Sequence, residues 1–173
     1  MKSFIDREIF GRTFGGASLH VQNLSDASQL ISAYYWHTDV FGGFVLFVQL
    51  VGISYTFVAV PGHTEECEFD KTDAADFVEY ERWKGSLDAA TLADVRKFER
   101  GFMAFAKDSK PKGENTRILV HKLVAGQRLS IAAGSYPHAS IIPKQNPGEA
   151  RSLLVCHDLE KYDDKRPSEM VAF

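Results

Sequence analysis

The chain has 173 residues, 45% hydrophobic and 25% charged, with a net charge of −3. A chain of this size can bury a core without disulfide or metal staples, and the slight acidity excludes a global attraction to nucleic acid or to an anionic membrane. The two cysteines, Cys67 and Cys156, show no zinc-ligand spacing and are too few for a disulfide framework, so two thiols and a reducing, intracellular site of folding are expected.

The N-terminal MKSFIDREIFGR carries Asp6 and Glu8 and lacks an apolar stretch, so it does not read as a signal peptide. Segment 17–22, ASLHVQ, has the composition of a short strand. In DASQLISAYYW, Leu30, Ile31 and Tyr34 form a short helical face, with Ser25 or Asp26 as the N-cap. The aromatic group Tyr34, Tyr35 and Trp36 supplies core or interface area rather than a ligand box.

Residues 41–63, FGGFVLFVQLVGISYTFVAVPGH, hold the densest apolar run and no charged side chain. About 20 apolar residues would suffice to cross a membrane. Gly42, Gly43 and Gly52 interrupt the run, β-branched and aromatic residues dominate it, and no Lys or Arg flanks it. Two strands, 44–50 and 53–60, joined as a hairpin near Val51-Gly52, fit better. The first is apolar on both faces apart from Gln49, so something must cover it twice. The second sets Ile53, Tyr55, Phe57 and Ala59 against Ser54 and Thr56.

After the Pro61-Gly62 turn, HTEECEFD alternates as a third strand. His63, Glu65, Cys67 and Phe69 share one face, and Thr64, Glu66, Glu68 and Asp70 form an acidic one. A first helix is expected at about 73–84, with acidic residues early and Arg82 and Lys84 late, matching the helix dipole. A second is expected at 88–107, with Leu92, Val95, Phe98, Phe102 and Phe105 as its apolar stripe and Asp88 as its cap. Gly101 inside that helix costs about 1 kcal/mol relative to Ala. Segment 107–115 reads as a loop. Strands follow at 117–124 and 127–134, joined as a hairpin at Ala125-Gly126, then at 140–143 and 151–159. The fold class is α+β, a mainly antiparallel β-sheet or sandwich with two helices. It forms a single β-rich domain over 1–160 followed by a C-terminal arm over 161–173.

Charge is unevenly placed. Residues 1–70 carry three basic and eight acidic groups, while residues 71–173 carry seventeen and fifteen. A buried first half accounts for this most simply; an acidic patch that meets a basic neighbour in an assembly is the sharper alternative. The basic residues of 107–128 are interleaved with few aromatics, so nothing demands a nucleic-acid surface, and none is expected as a partner.

Catalytic patterns are sparse. His63, Glu65 and Cys67 are the weak candidates for metal ligation, with His121, His138 or His157 as a fourth ligand. Residues two apart on a strand lie roughly 6.6–7 Å apart and do not converge without a bulge, so no metal and no cofactor is expected. Cys156 and His157 point to opposite faces of a strand and make a poor nucleophile–base pair. No nucleophile elbow or phosphate-binding glycine motif is present.

The stretch EFDKTDAADFVEYERWKGS carries a strand that ends in Phe69 and Asp70. A Thr/Asp-rich stretch, Lys71, Thr72, Asp73 and Ala75, then leads to Asp76, Phe77, Tyr80 and Lys84. Over about twenty residues this resembles structural proteins of tailed-phage particles. The resemblance implies a non-enzymatic, β-rich structural or adaptor subunit of a bacteriophage virion, at tail or neck, folded in the host cytoplasm. Such a subunit packs beside copies of itself or other virion proteins. The contact candidates are Tyr34, Tyr35, Trp36, Glu66, Glu68 and Asp70, together with the C-terminal arm. The alternatives are a small-molecule-binding or hydrolytic protein that uses His63, Cys67 or another histidine, and a small inhibitor that binds one partner.

Overall fold

The computed structural model describes residues 14–22, 31–38, 43–62, 67–70, 75–109, 116–133, 136–143 and 151–158. The expected N-terminal segment, the C-terminal arm, His63, Glu65, Glu66 and most of the 107–115 loop lie outside them. In chain order the elements are β1 (Phe14–Gln22), β2 (Ile31–His37), β3 (Gly43–Val51), β4 (Ile53–Pro61), β5 (Glu68–Phe69), α1 (Ala75–Gly85), α2 (Ala89–Asp108), β6 (Thr116–Val124), β7 (Arg128–Ala133), β8 (His138–Pro143) and β9 (Arg151–Asp158).

The strands form two sheets, β1-β9-β3-β7 and β2-β8-β4-β6-β5. Every pairing is antiparallel except that of the short β5 with β6. Val45 and Phe47 of β3, Ile131 of β7 and Leu153 and Val155 of β9 meet Val58, Leu123 and Ile142 from the second sheet in one buried cluster. The opposite face of the second sheet, through Tyr55, Phe57, Ala59, Ile118, Val120, Ala139 and Ile141, packs against Tyr80, Val95, Phe98, Phe102 and Ala106 of the helices. The layers therefore run sheet, sheet, helix pair. The α+β class with two helices is the observed one.

Three local expectations are overturned. The helical face at 25–36 is replaced, where the structure describes it, by β2. Tyr34, Tyr35 and Trp36 belong to residue types that favour strands, and pairing with β8 from Ile31 opposite Pro143 to His37 opposite His138 satisfies the backbone. The strands on either side of Gly52 are not a hairpin: β3 lies in one sheet and β4 in the other. Those on either side of Gly126 part in the same way, β6 to the second sheet and β7 to the first. Both glycines take positive φ, 79° and 87°. The chain turns sharply there, but each strand finds its hydrogen-bonding neighbour elsewhere. Of the expected third strand, the described residues form β5, and residues 63–66 lie outside them.

This sheet change explains the composition of the apolar run. β4 is buried on both faces because helices cover one side and the other sheet covers the second. Its small polar residues serve the inter-sheet seam: Ser54 and Thr56 are fully buried, and Thr56 Oγ1 lies 2.9 Å from Ser140 Oγ. Among the described residues no helix is long and apolar enough to cross a membrane.

The helices end where their sequences say they should. The Asp88 carboxylate accepts hydrogen bonds from the N–H groups of Ala90 and Thr91, both at 3.0 Å, and caps α2. The buried stripe of α2 is Thr91, Val95, Phe98, Glu99, Phe102 and Ala106, which turns Leu92 and Phe105 to its half-buried margins.

Candidate functional site

Among the described residues, two groups of buried polar side chains stand out. The first lies at the junction of the two helices. Tyr80 donates its hydroxyl to Glu99 Oε1 at 2.9 Å, and Lys84 donates to the same oxygen at 2.6 Å and to Glu81 Oε1 at 2.5 Å. The Lys84 ammonium also stands 5.0 Å from the centre of the Tyr80 ring. Glu99 is 8% exposed, so its charge is balanced inside the protein rather than by water. Burial, followed by the charge and hydrogen bond of Glu99, pushes the Tyr80 phenol far above its usual range. Burial likewise lifts Tyr55 to about 12, with Glu79 and Asp76 adding to it. Burial alone would lower Lys84, but its hydrogen bonds to Glu81 and Glu99 outweigh that and hold it above its ordinary value. Neither phenol ionises near neutrality and the lysine stays charged, so these three side chains offer no nucleophile. It joins α1 to α2.

A neighbouring set fastens α1 to the sheet. Asp76 accepts from the backbone N–H of Lys122 at 3.0 Å, and the Lys122 ammonium pairs with Glu79. Beneath them rings pack at 5.1 Å for Tyr55–Tyr80, 5.2 Å for Phe57–Tyr80 and 5.6 Å for Phe57–Phe98. Such aromatic pairs add about 0.5–1.5 kcal/mol each beyond their buried area.

The second group lies at the seam between the sheets. His138 is fully buried; its Nδ1 donates to the Tyr136 carbonyl at 3.0 Å, and its ring lies edge-on to His37 at 4.3 Å and to Phe47 at 5.6 Å. With the Thr56–Ser140 pair this makes a polar strip buried between the two sheets. Burial also pulls His121 below its usual imidazole range, with Asp76 partly opposing the shift.

The residues singled out from sequence separate. Trp36 packs on the protein's own α2, edge-on to Phe98 at 5.6 Å. Tyr34 and Tyr35 occupy β2, with Tyr34 opposite Ser140. Glu68 is exposed on β5. Asp70 is ion-paired with Arg117 at 2.9 Å, and its N–H donates to the Ile118 carbonyl, so it does not stand as an open acidic face. Cys67 is a half-buried thiol against the helix-side cluster rather than half of a disulfide. Among the described residues, no three His, Cys, Asp or Glu side chains are placed to hold a metal ion.

One surface was not foreseen from sequence. Both sheet-changing turns lie at the same end of the sandwich and are bonded to each other. The N–H of Gln49 donates to the Gln127 carbonyl at 3.0 Å, and the N–H of Gly126 donates to the Gln49 carbonyl at 2.8 Å. The Gln49 side chain donates to the Val51 carbonyl at 2.7 Å, and Gln127 Oε1 accepts from Val124 N–H at 3.0 Å. This corner exposes Leu50, Val51 and Val124, at 40%, 45% and 37%. The only forewarning was Gln49 itself, a lone polar residue in an apolar strand. Comparison with protein-family models and with curated proteins finds no match to this chain.

Proposed function

We propose that this protein is a non-enzymatic structural or adaptor subunit of a bacteriophage particle that works through contacts with copies of itself or with other virion proteins. The observation that carries the contact reading is the corner of Leu50, Val51 and Val124. These are large apolar side chains held outward on backbone that hydrogen bonds already make rigid. A preorganised apolar patch loses little entropy on docking. The resemblance over Phe69–Lys84 supplies the particle class. Among the described residues, the bonds of Glu99, Asp76 and Thr56 to distant elements fit the same reading, because they join separate elements of the fold.

The test is light scattering coupled to size exclusion over a wide concentration range, together with capture by purified particle proteins. The expected result is self-association or capture that is lost in Leu50→Asp/Val124→Asp, with the circular dichroism spectrum unchanged. A strictly monomeric protein that no particle protein retains would overturn the proposal.

A further inference from the structure

The exposed side of α2 carries Arg96, Lys97, Arg100 and Lys107. All four are exposed, and none makes an ion pair or side-chain hydrogen bond among the described residues. Helical geometry of 100° per residue puts Arg96, Arg100 and Lys107 within roughly 40° of arc, a row about 16 Å long, with Lys97 beside it. The acidic residues of the helix lie off the row of three: Asp94 and Asp108 fall on the flank nearer Gly101 and Trp36, toward which Lys97 also lies, and Glu99 is turned inward to Lys84. The net charge of −3 averages over the whole chain. It does not describe this face, which belongs to the outermost layer of the fold.

We infer that the row Arg96–Arg100–Lys107, with Lys97, is a sequence-independent binding surface for the phosphate backbone of nucleic acid. Three physical arguments select that partner. A protein interface is centred on apolar or aromatic side chains, yet the uncharged residues that stand exposed among these cations are the small Ala93 and Ala104. A membrane-bound helix inserts an apolar face, and the apolar face of α2 is already used by Val95, Phe98 and Phe102 in the protein's own core. A straight row of cations is matched by a linear polyanion, and duplex DNA carries one phosphate per strand every 3.4 Å or so along its axis. This inference stands apart from the assembly proposal: a monomeric protein could bind DNA, and an oligomer could fail to.

The experiment is fluorescence anisotropy of the full chain with a labelled 20-base-pair duplex of arbitrary sequence. Wild-type protein is expected to bind at 50 mM salt and to lose affinity by roughly 40- to 150-fold at 200 mM, as for three or four phosphate contacts. Arg96→Gln/Arg100→Gln/Lys107→Gln is expected to bind at least about tenfold more weakly, with a log–log salt slope lower by about 0.9 for each cation removed. Arg82→Gln/Arg128→Gln, which removes two exposed cations elsewhere, is expected to bind like wild type. Absence of duplex binding at 50 mM salt would overturn the inference. So would equal losses in the two variants, or equal binding of polyglutamate or of phosphatidylglycerol vesicles through the same residues.

Discussion

The indole of Trp36 lies against the backbone of Gly101 in the middle of α2: a Cβ placed on Gly101 would stand 2.6 Å from Trp36 Cη2 and 2.9 Å from Cζ2. Helix propensity alone says that Gly101→Ala should stabilise the protein by about 1 kcal/mol. The contact reverses the sign, because the ring must be displaced from its place beside Phe98. Gly101→Ala is expected to destabilise by about 1–3 kcal/mol in urea denaturation. Adding Trp36→Leu should make the Ala substitution favourable again, and the double-mutant cycle reads the coupling directly.

The glycines of the two sheet-changing turns differ from Gly85. Gly52 and Gly126 have φ of 79° and 87°, where a side chain meets its own backbone. Each change to Ala is expected to cost about 1–2 kcal/mol. Gly85 has open space around it, and Gly85→Ala is expected to be neutral within about 0.5 kcal/mol. Thermal denaturation of the three single variants checks the contrast.

Glu99 holds Tyr80 and Lys84 together, so its loss strands both. Glu99→Ala is expected to cost about 3–5 kcal/mol, as for breaking a buried charged group. Tyr80→Phe, which removes only a hydroxyl, should cost about 1–3 kcal/mol. If the two effects simply add in a Glu99→Ala/Tyr80→Phe protein, the shared hydrogen bond is not the source of either.

Stability should fall with acid in two steps. Burial depresses His121 in the folded state, so its contribution is complete above about pH 6.5, the unfolded value, and declines as pH drops toward the folded one. The hydrogen bond from Lys122 lowers Glu79, and that from the Thr91 N–H lowers Asp88. Their contributions are present above the ordinary carboxylate range and vanish as pH falls through the depressed values. His121→Gln is expected to remove the upper step and leave the lower one, measured as urea midpoints between pH 3 and 8.

Much of the fold could be read from residue order, because local rules govern it. The helix over Ala89–Asp108 follows from the Asp88 cap and the spacing of Val95, Phe98 and Phe102. The strands follow from β-branched and aromatic runs broken at Gly52 and Gly126. The alternation of Tyr55, Phe57 and Ala59 against Ser54 and Thr56 correctly divided the two faces of β4.

What local pattern could not determine was which strand each strand would pair with. A glycine with positive φ serves a hairpin and a sheet-changing corner equally well. The choice was made by distant partners: Thr56 opposite both His121 and Ser140, and Phe47 opposite Val155 and Leu129. The same holds for β2, where the weak helical period of Leu30, Ile31 and Tyr34 yielded to the free edge of β8. Residue order by itself determined which segments are strands and helices and which faces are apolar, since those depend on neighbours a few positions away. Tertiary structure alone decided that the apolar run divides between two sheets and that Trp36 rests on Gly101. Each of these depends on contacts whose partners lie tens of residues apart.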